Sequence, residues 1–193
     1  MARPKEFNRD QVLEKAMGLF WEKGYDGSSV ENLVQCTGIG RGSLYDTFSD
    51  KHALYLAALD RYMRTTGGPL TDLQRQEGSF RDALRNFFQE RIEEAFRDPT
   101  RHGCFMVNAA IELAPHDPSV AQRVQDGLDQ TEEAFYHVLI KAQATGELSW
   151  KSDPHQLARF LVNTLLGIRV LSRARPHRQM LQDIVQTALA TLG

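Results

Sequence analysis

Cysteine is scarce in this 193-residue chain: there are two, Cys36 and Cys104. They are too few and too unpatterned for a disulfide framework, and His102-Gly103-Cys104 offers two metal ligands with no second pair. No apolar run approaches the roughly 18 residues of a membrane span. The opening MARPKEFNR has no hydrophobic signal region, so the expectation is a cytoplasmic protein without a membrane partner. No G-x-S-x-G elbow or H-E-x-x-H helix occurs, and the six histidines are scattered. Neither a catalytic constellation nor a metal or cofactor is expected, which disfavours an enzyme. At 41% hydrophobic content the chain can still bury a core of one or two domains.

The most informative stretch is SSVENLVQCTGIGRGSLYDTFSDK, residues 28–51. Ser29 is a good N-cap, and Val30, Leu33 and Val34 form the i, i+3, i+4 stripe of a two-turn helix. Gly38 supplies the left-handed C-cap and Ile39 an apolar plug. A second helix is expected from about Arg41 to Phe48, with Leu44 and Phe48 inward. Its outer face carries Arg41, Gly42, Ser43, Tyr45, Asp46 and Thr47. Eight residues make a rod of about 12 Å, suited to a major groove about 12 Å wide. This is a helix-turn-helix with a DNA-recognition helix. Reading GIGRG as a dinucleotide loop fails, because a helix precedes it where a strand is needed and the glycine spacing is wrong.

From Asn8 to about Leu59 the chain also resembles the tetracycline-repressor type (TetR/AcrR) transcriptional regulators, through LFWEKGYDGSSV and ENLVQCTGIGRGSLYDTFSDKHALYLAAL. The resemblance implies paired recognition helices on a homodimer and a small effector bound by the rest of the chain. By position it implies that Arg41, Ser43 and Thr47 face bases or phosphates, and that Tyr45 and Lys51 hold the backbone. Ser29 and Gly42 belong to the same expected DNA-binding set. Gly40 departs from the family pattern, where a serine or threonine often caps the recognition helix.

A global basic field is missing. Residues 1–66 hold nine Lys or Arg against nine Asp or Glu, and the whole chain has a formal net charge of −2. Attraction to phosphate must be local, from Arg3, Lys5 and Arg9 in the N-terminal arm and from Arg41 and Lys51. The arm reads equally well as a solvated tail. Glu14, Glu22 and Asp60 are expected to lie away from the DNA.

Past Thr66 the pattern is helical, with no alternating strand signal. TGGPLTDLQRQEGS, rich in turn formers, reads as a linker. Apolar positions from Phe80 to Phe96 recur at helical spacing. A segment from Cys104 to Leu113 follows, then a long helix opened by Asp117 or Pro118 and closing near Gly146. Asp153 and Pro154 start another, running to about Arg173. The fold class is therefore all-α: an N-terminal three-helix helix-turn-helix domain with its bridging helix (1–66) and a C-terminal helical effector-binding and dimerisation domain (67–193).

The helix from Pro154 to Arg173 is apolar on nearly every face, so it must be covered on more than one side. A homodimer interface of Leu161, Leu165, Leu166, Ile184, Val185 and Leu189 meets that need, and the resemblance implies it; the alternative is a monomer with one central buried helix. Candidates for an effector pocket are Phe87, Phe88, Cys104, Phe105, Asn108, Glu112 and Asn163, the polar members orienting a ligand or satisfying buried backbone. Cys104, at the expected start of a helix, reads either as a reactive thiol or as a small core residue. The function expected is a regulator, a repressor released from a palindromic DNA operator when an effector shifts the bridging helix, about Ser49 to Arg64. The alternatives are a helical adaptor or a small helical enzyme.

Overall fold

In the computed structural model, residues 7–66, 68–75, 78–97 and 102–192 are described, and among them the fold is ten α-helices without a strand. The first four are α1 (Arg9–Lys23), α2 (Val30–Thr37), α3 (Arg41–Phe48) and α4 (Lys51–Thr66). They are followed by α5 (Gly68–Arg75), α6 (Phe80–Arg97), α7 (Phe105–Glu112), α8 (Pro118–Ala144), α9 (Pro154–Ala174) and α10 (Arg178–Ala190).

Local chemistry sets most of these boundaries. Asn8 accepts from the amides of Asp10 and Gln11 to start α1. Ser29 and Asn32 form a reciprocal capping box on α2, and Gly38, at φ +77°, ends it in the left-handed conformation. Asp117 and Asp153 each accept from two first-turn amides, with Pro118 and Pro154 next in sequence where a missing N–H costs nothing.

The stretch expected as a linker is instead largely helix. Leu70 and Leu73, three residues apart, press onto the C-terminal core, with Leu73 fully buried. Pro69 falls in the first turn of α5, where proline is tolerated, so the turn formers start the helix rather than prevent it. The bridging helix α4 begins at Lys51 rather than Ser49: Ser49 has φ +70°, and Asp50 accepts from the Ala53 amide at 2.7 Å as the cap.

Two apolar cores run through the molecule. One joins α1 to α4 with α7 and the first turns of α8, and includes Phe20, Leu44, Tyr55, Phe105 and Val120. The other joins α5, α6, the second half of α8, α9 and α10 around Phe88, Phe135, Leu161 and Leu181. The core beneath the helix-turn-helix thus takes in residues from well beyond position 66. Burial of this kind, at roughly 25 cal/mol per Å² of apolar surface, holds the short helices α2 and α3 in place; eight residues would not stay helical alone.

Candidate nucleic-acid interface

Helix α3 buries Leu44 and Phe48 and exposes Arg41, Gly42, Ser43 and Asp46, with Tyr45 and Thr47 half-buried. The expected outer face is therefore the observed one. The Arg41 guanidinium lies 5.6 Å from the Tyr45 ring centroid, so cation and phenol form one unit. Thr47 Oγ1 donates to the Ser43 carbonyl at 2.7 Å, one turn back on the same helix. Gly40 caps α3 without any side-chain hydrogen bond.

Two aromatic rings position cations around this helix. Arg9 stands 5.0 Å from the Phe48 ring centroid, and Lys51 Nζ 4.1 Å from that of Tyr25. Sequence reasoning named Lys51 but missed Tyr25, whose spacing from Lys51 gives no hint of the contact. Ser29 is spent on its own helix, accepting from Asn32 at 3.1 Å. Arg3 and Lys5 lie outside the described residues. The acidic residues Glu14 and Asp60 are engaged by Arg61 at 2.7 Å and Arg123 at 2.8 Å, so both are tied to neighbouring helices.

Three contacts couple the helix-turn-helix unit to α7 and α8. Glu112, at the end of α7, accepts from the amides of Tyr25 and Asp26, both at 3.1 Å. The His52 ring meets Asp117, the cap of α8, at 2.5 Å. Arg123 of α8 reaches Asp60 of α4. The Asp117 carboxyl sits below its ordinary pKa: burial pushes it up, but the Val120 amide, His52 and the Ser119 amide outweigh that.

The residues expected to form an effector pocket are not gathered into one place. Phe87 and Phe88 pack on Phe135 in the C-terminal core, with centroids 5.6 and 5.9 Å away. Glu112 is occupied by the Tyr25 and Asp26 amides. Asn108 accepts from Arg173 and donates to the His102 carbonyl, holding the turn before α7. Asn163 is exposed on α9. Cys104 and Phe105 are buried, and Cys104 Sγ accepts from Arg169 Nη1 at 2.9 Å and from the Tyr62 hydroxyl at 3.5 Å.

A small cavity of about 40 Å³ lies where the two cores meet, lined by Tyr62, Met63, Met106, Gly127, Leu165 and Arg169 among others. None of these was named as a ligand residue from the sequence. The lone cation in the apolar run LLGIRVLS was the available signal.

The expected dimer residues need correction. Leu161, Leu165, Val185 and Leu189 are at most 6% exposed and belong to the chain's own C-terminal core, while Leu166 packs against the other core. Helical periodicity reveals an apolar helix but not which side its own chain covers. The outward side of α9 and α10 is a different set: Phe160, Asn163, Gly167, Met180, Ile184 and Thr187 line an open groove of about 550 Å³. Only Ile184 is common to both sets.

Comparison with known proteins accounts for this architecture. Residues 12–58 match the family described as "Bacterial regulatory proteins, tetR family", and residues 71–188 match "Tetracyclin repressor-like, C-terminal domain". The chain is 38% identical over 194 residues to the uncharacterized HTH-type transcriptional regulator YezE of Bacillus subtilis, covering 100% of both chains. It is 34% identical to the HTH-type transcriptional repressor ComR of Escherichia coli, over 97% of this chain and 90% of that one. Among solved structures it superposes at a TM-score of 0.89, with 28% identity and 100% of both chains covered, on a cysteine-substituted TetR family regulator CifR complexed with 26-base-pair operator DNA. The chain belongs to the tetR family and is a DNA-binding transcriptional regulator.

Proposed function

We propose that the protein is a cytoplasmic repressor that binds a palindromic operator as a homodimer and leaves it when a small effector binds the C-terminal helical domain. Residues 1–66 make up the DNA-binding part of the chain and residues 67–193 the effector and dimerisation part. The observation that carries this reading is the exposed face of α3, with Arg41 set over Tyr45 and Lys51 over Tyr25. Such a face fits a major groove, with Arg41, Gly42, Ser43 and Thr47 toward the bases and Tyr45 and Lys51 toward the backbone. ComR, a relative over nearly the whole chain, is named as a repressor, and the CifR structure holds operator DNA.

Dimerisation is supported by the outward groove of α9 and α10. Phe160 is 39% exposed and Val170 46% exposed, and Gly167 lets a second backbone come close. A two-fold pair places its recognition helices about 34–36 Å apart for one helical turn of DNA, so a small change in spacing weakens both contacts. Glu112, His52 and Arg123 transmit movement of α7 and α8 to the helix-turn-helix.

The test is to incubate the purified protein with sheared genomic DNA, recover the retained fragments and sequence them. Enrichment of a palindrome with half-sites one turn apart supports the reading. Retention of DNA without sequence preference, or no retention, refutes it.

A further inference from the structure

Arg169 stands in the C-terminal third of the apolar helix α9, half-buried at the junction of the two cores. Its Nη1 donates to Cys104 Sγ at 2.9 Å, and the Tyr62 hydroxyl donates to the same sulfur at 3.5 Å. Among the described residues no carboxylate lies within 4.0 Å of the guanidinium; Cys104 and then Tyr62 act on it most strongly, and Glu94 only from farther away. A guanidinium has five donors, and one sulfur leaves most of them unmet. A cation drawn out of water without a counter-ion is unfavourable, and its usual remedy is an anion.

The space for that anion adjoins it. Arg169 lines the cavity of about 40 Å³ with Tyr62, Met63, Met106, Gln130 and Leu165. That is room for about three water-sized groups at roughly 10–15 Å³ each. Its methionines can adjust to a slightly larger guest. Gly127 keeps the wall open, since a β-carbon there would lie 2.7 Å from Met106 Sδ. Burial raises the Tyr62 phenol pKa, so its hydroxyl remains a donor.

We infer that this cavity is the effector site and that it takes a small monocarboxylate of roughly four or five heavy atoms. The carboxylate pairs with Arg169 in bidentate fashion, and the short apolar end lies among Met63, Met106 and Leu165. One cation selects a single negative charge, and the methionine and leucine wall favours a carbon skeleton over a bare inorganic ion. Because Tyr62 and Met63 belong to α4, a guest here presses on the helix that follows the recognition helix. The assignment rests on the proposed repressor function and supplies its ligand class.

The test uses the full chain, with sodium propionate, sodium hexanoate and propionamide at matched ionic strength. Two quantities are read: the thermal unfolding midpoint, and retention of the DNA that the protein selects. Propionate is expected to raise the midpoint and release DNA, and neither propionamide nor hexanoate to do so. Arg169→Met and Gly127→Ala should each weaken propionate binding at least tenfold. If Arg169→Met does not fold, Gly127→Ala and the comparison of acid with amide on the unaltered protein decide. Propionamide acting as well as propionate, or propionate changing neither quantity, overturns the assignment. Failure to retain DNA with no carboxylate present refutes the repressor reading instead, and the unfolding midpoint still judges the cavity.

Discussion

The two carboxylate oxygens of Glu112 each lie 2.8 Å from the point where a β-carbon on Gly24 would sit. Gly24 ends α1 at φ +74° and ψ 179°, a conformation almost confined to glycine. The missing side chain lets Glu112 reach the amides of Tyr25 and Asp26 across 87 and 86 residues of sequence, respectively. Gly24→Ala is therefore expected to destabilise the protein by about 1–3 kcal/mol through backbone strain, and to dislodge Glu112 as well. Urea unfolding monitored by circular dichroism measures the loss. An unchanged midpoint would show that the turn relaxes without cost.

Contacts to DNA are predicted to separate into two kinds. Tyr45→Phe keeps the ring under Arg41 and removes only the hydroxyl, so operator affinity should fall by about 1 kcal/mol with the fold intact. Lys51→Ala should lower the slope of log affinity against log salt by about one unit. Fluorescence anisotropy at several salt concentrations reads both. Unchanged affinity in both variants would remove these residues from the interface.

Assembly and folding should respond to different positions on the same helix. Leu165 is 3% exposed within the chain's own core, so Leu165→Glu buries a charge and unfolds the subunit. Phe160 faces the outward groove, so Phe160→Glu should give a folded monomer. Sedimentation velocity with circular dichroism distinguishes these outcomes. A folded dimer from Phe160→Glu would move the interface elsewhere.

Acid should loosen the junction between α4 and α8. The Asp117 carboxyl is held below its ordinary range by the Val120 amide, His52 and the Ser119 amide, against the opposing effect of burial. A lowered carboxyl contributes stability that is present above the unfolded-state value and is lost as pH falls through the folded one. The stability gap between the native chain and Asp117→Asn is thus expected to be widest near neutrality and to close below about pH 4. Denaturant titrations at a series of pH values follow it, and a gap that stays constant would contradict the electrostatic account.

The helix-turn-helix was legible because each of its signals is local. Ser29 as cap, Gly38 as left-handed stop, and Leu44 and Phe48 one turn apart all act within a few residues. Helix α5 was hidden because Gly68 and Pro69 read as turn formers, while the burial of Leu73 depends on helices distant in sequence. The same limit explains the dimer residues: the sequence of α9 shows apolar character all round, but only packing decides that Leu161 turns inward and Phe160 outward. Glu112 was singled out as a polar residue on an apolar segment, yet its partners are main-chain amides near Gly24, which leave no trace in composition. Arg169 carries a comparable signal, but a single arginine on a helix usually reaches solvent along its own stem, so sequence alone does not distinguish it.

The sharing of one apolar core between α1 to α4 and α7 also bears on how such proteins are recombined. A chimaera joined after Thr66 would graft a new sensor onto a DNA reader stripped of Phe105, Met106 and Ala109, exposing Tyr55 and Tyr62 at the scar. The natural unit of exchange is discontinuous: the first four helices together with the stretch from Cys104 to Val124. Swaps that carry this second piece along should keep both reader and transmission, whereas those that cut at a single point in the chain should give insoluble hybrids.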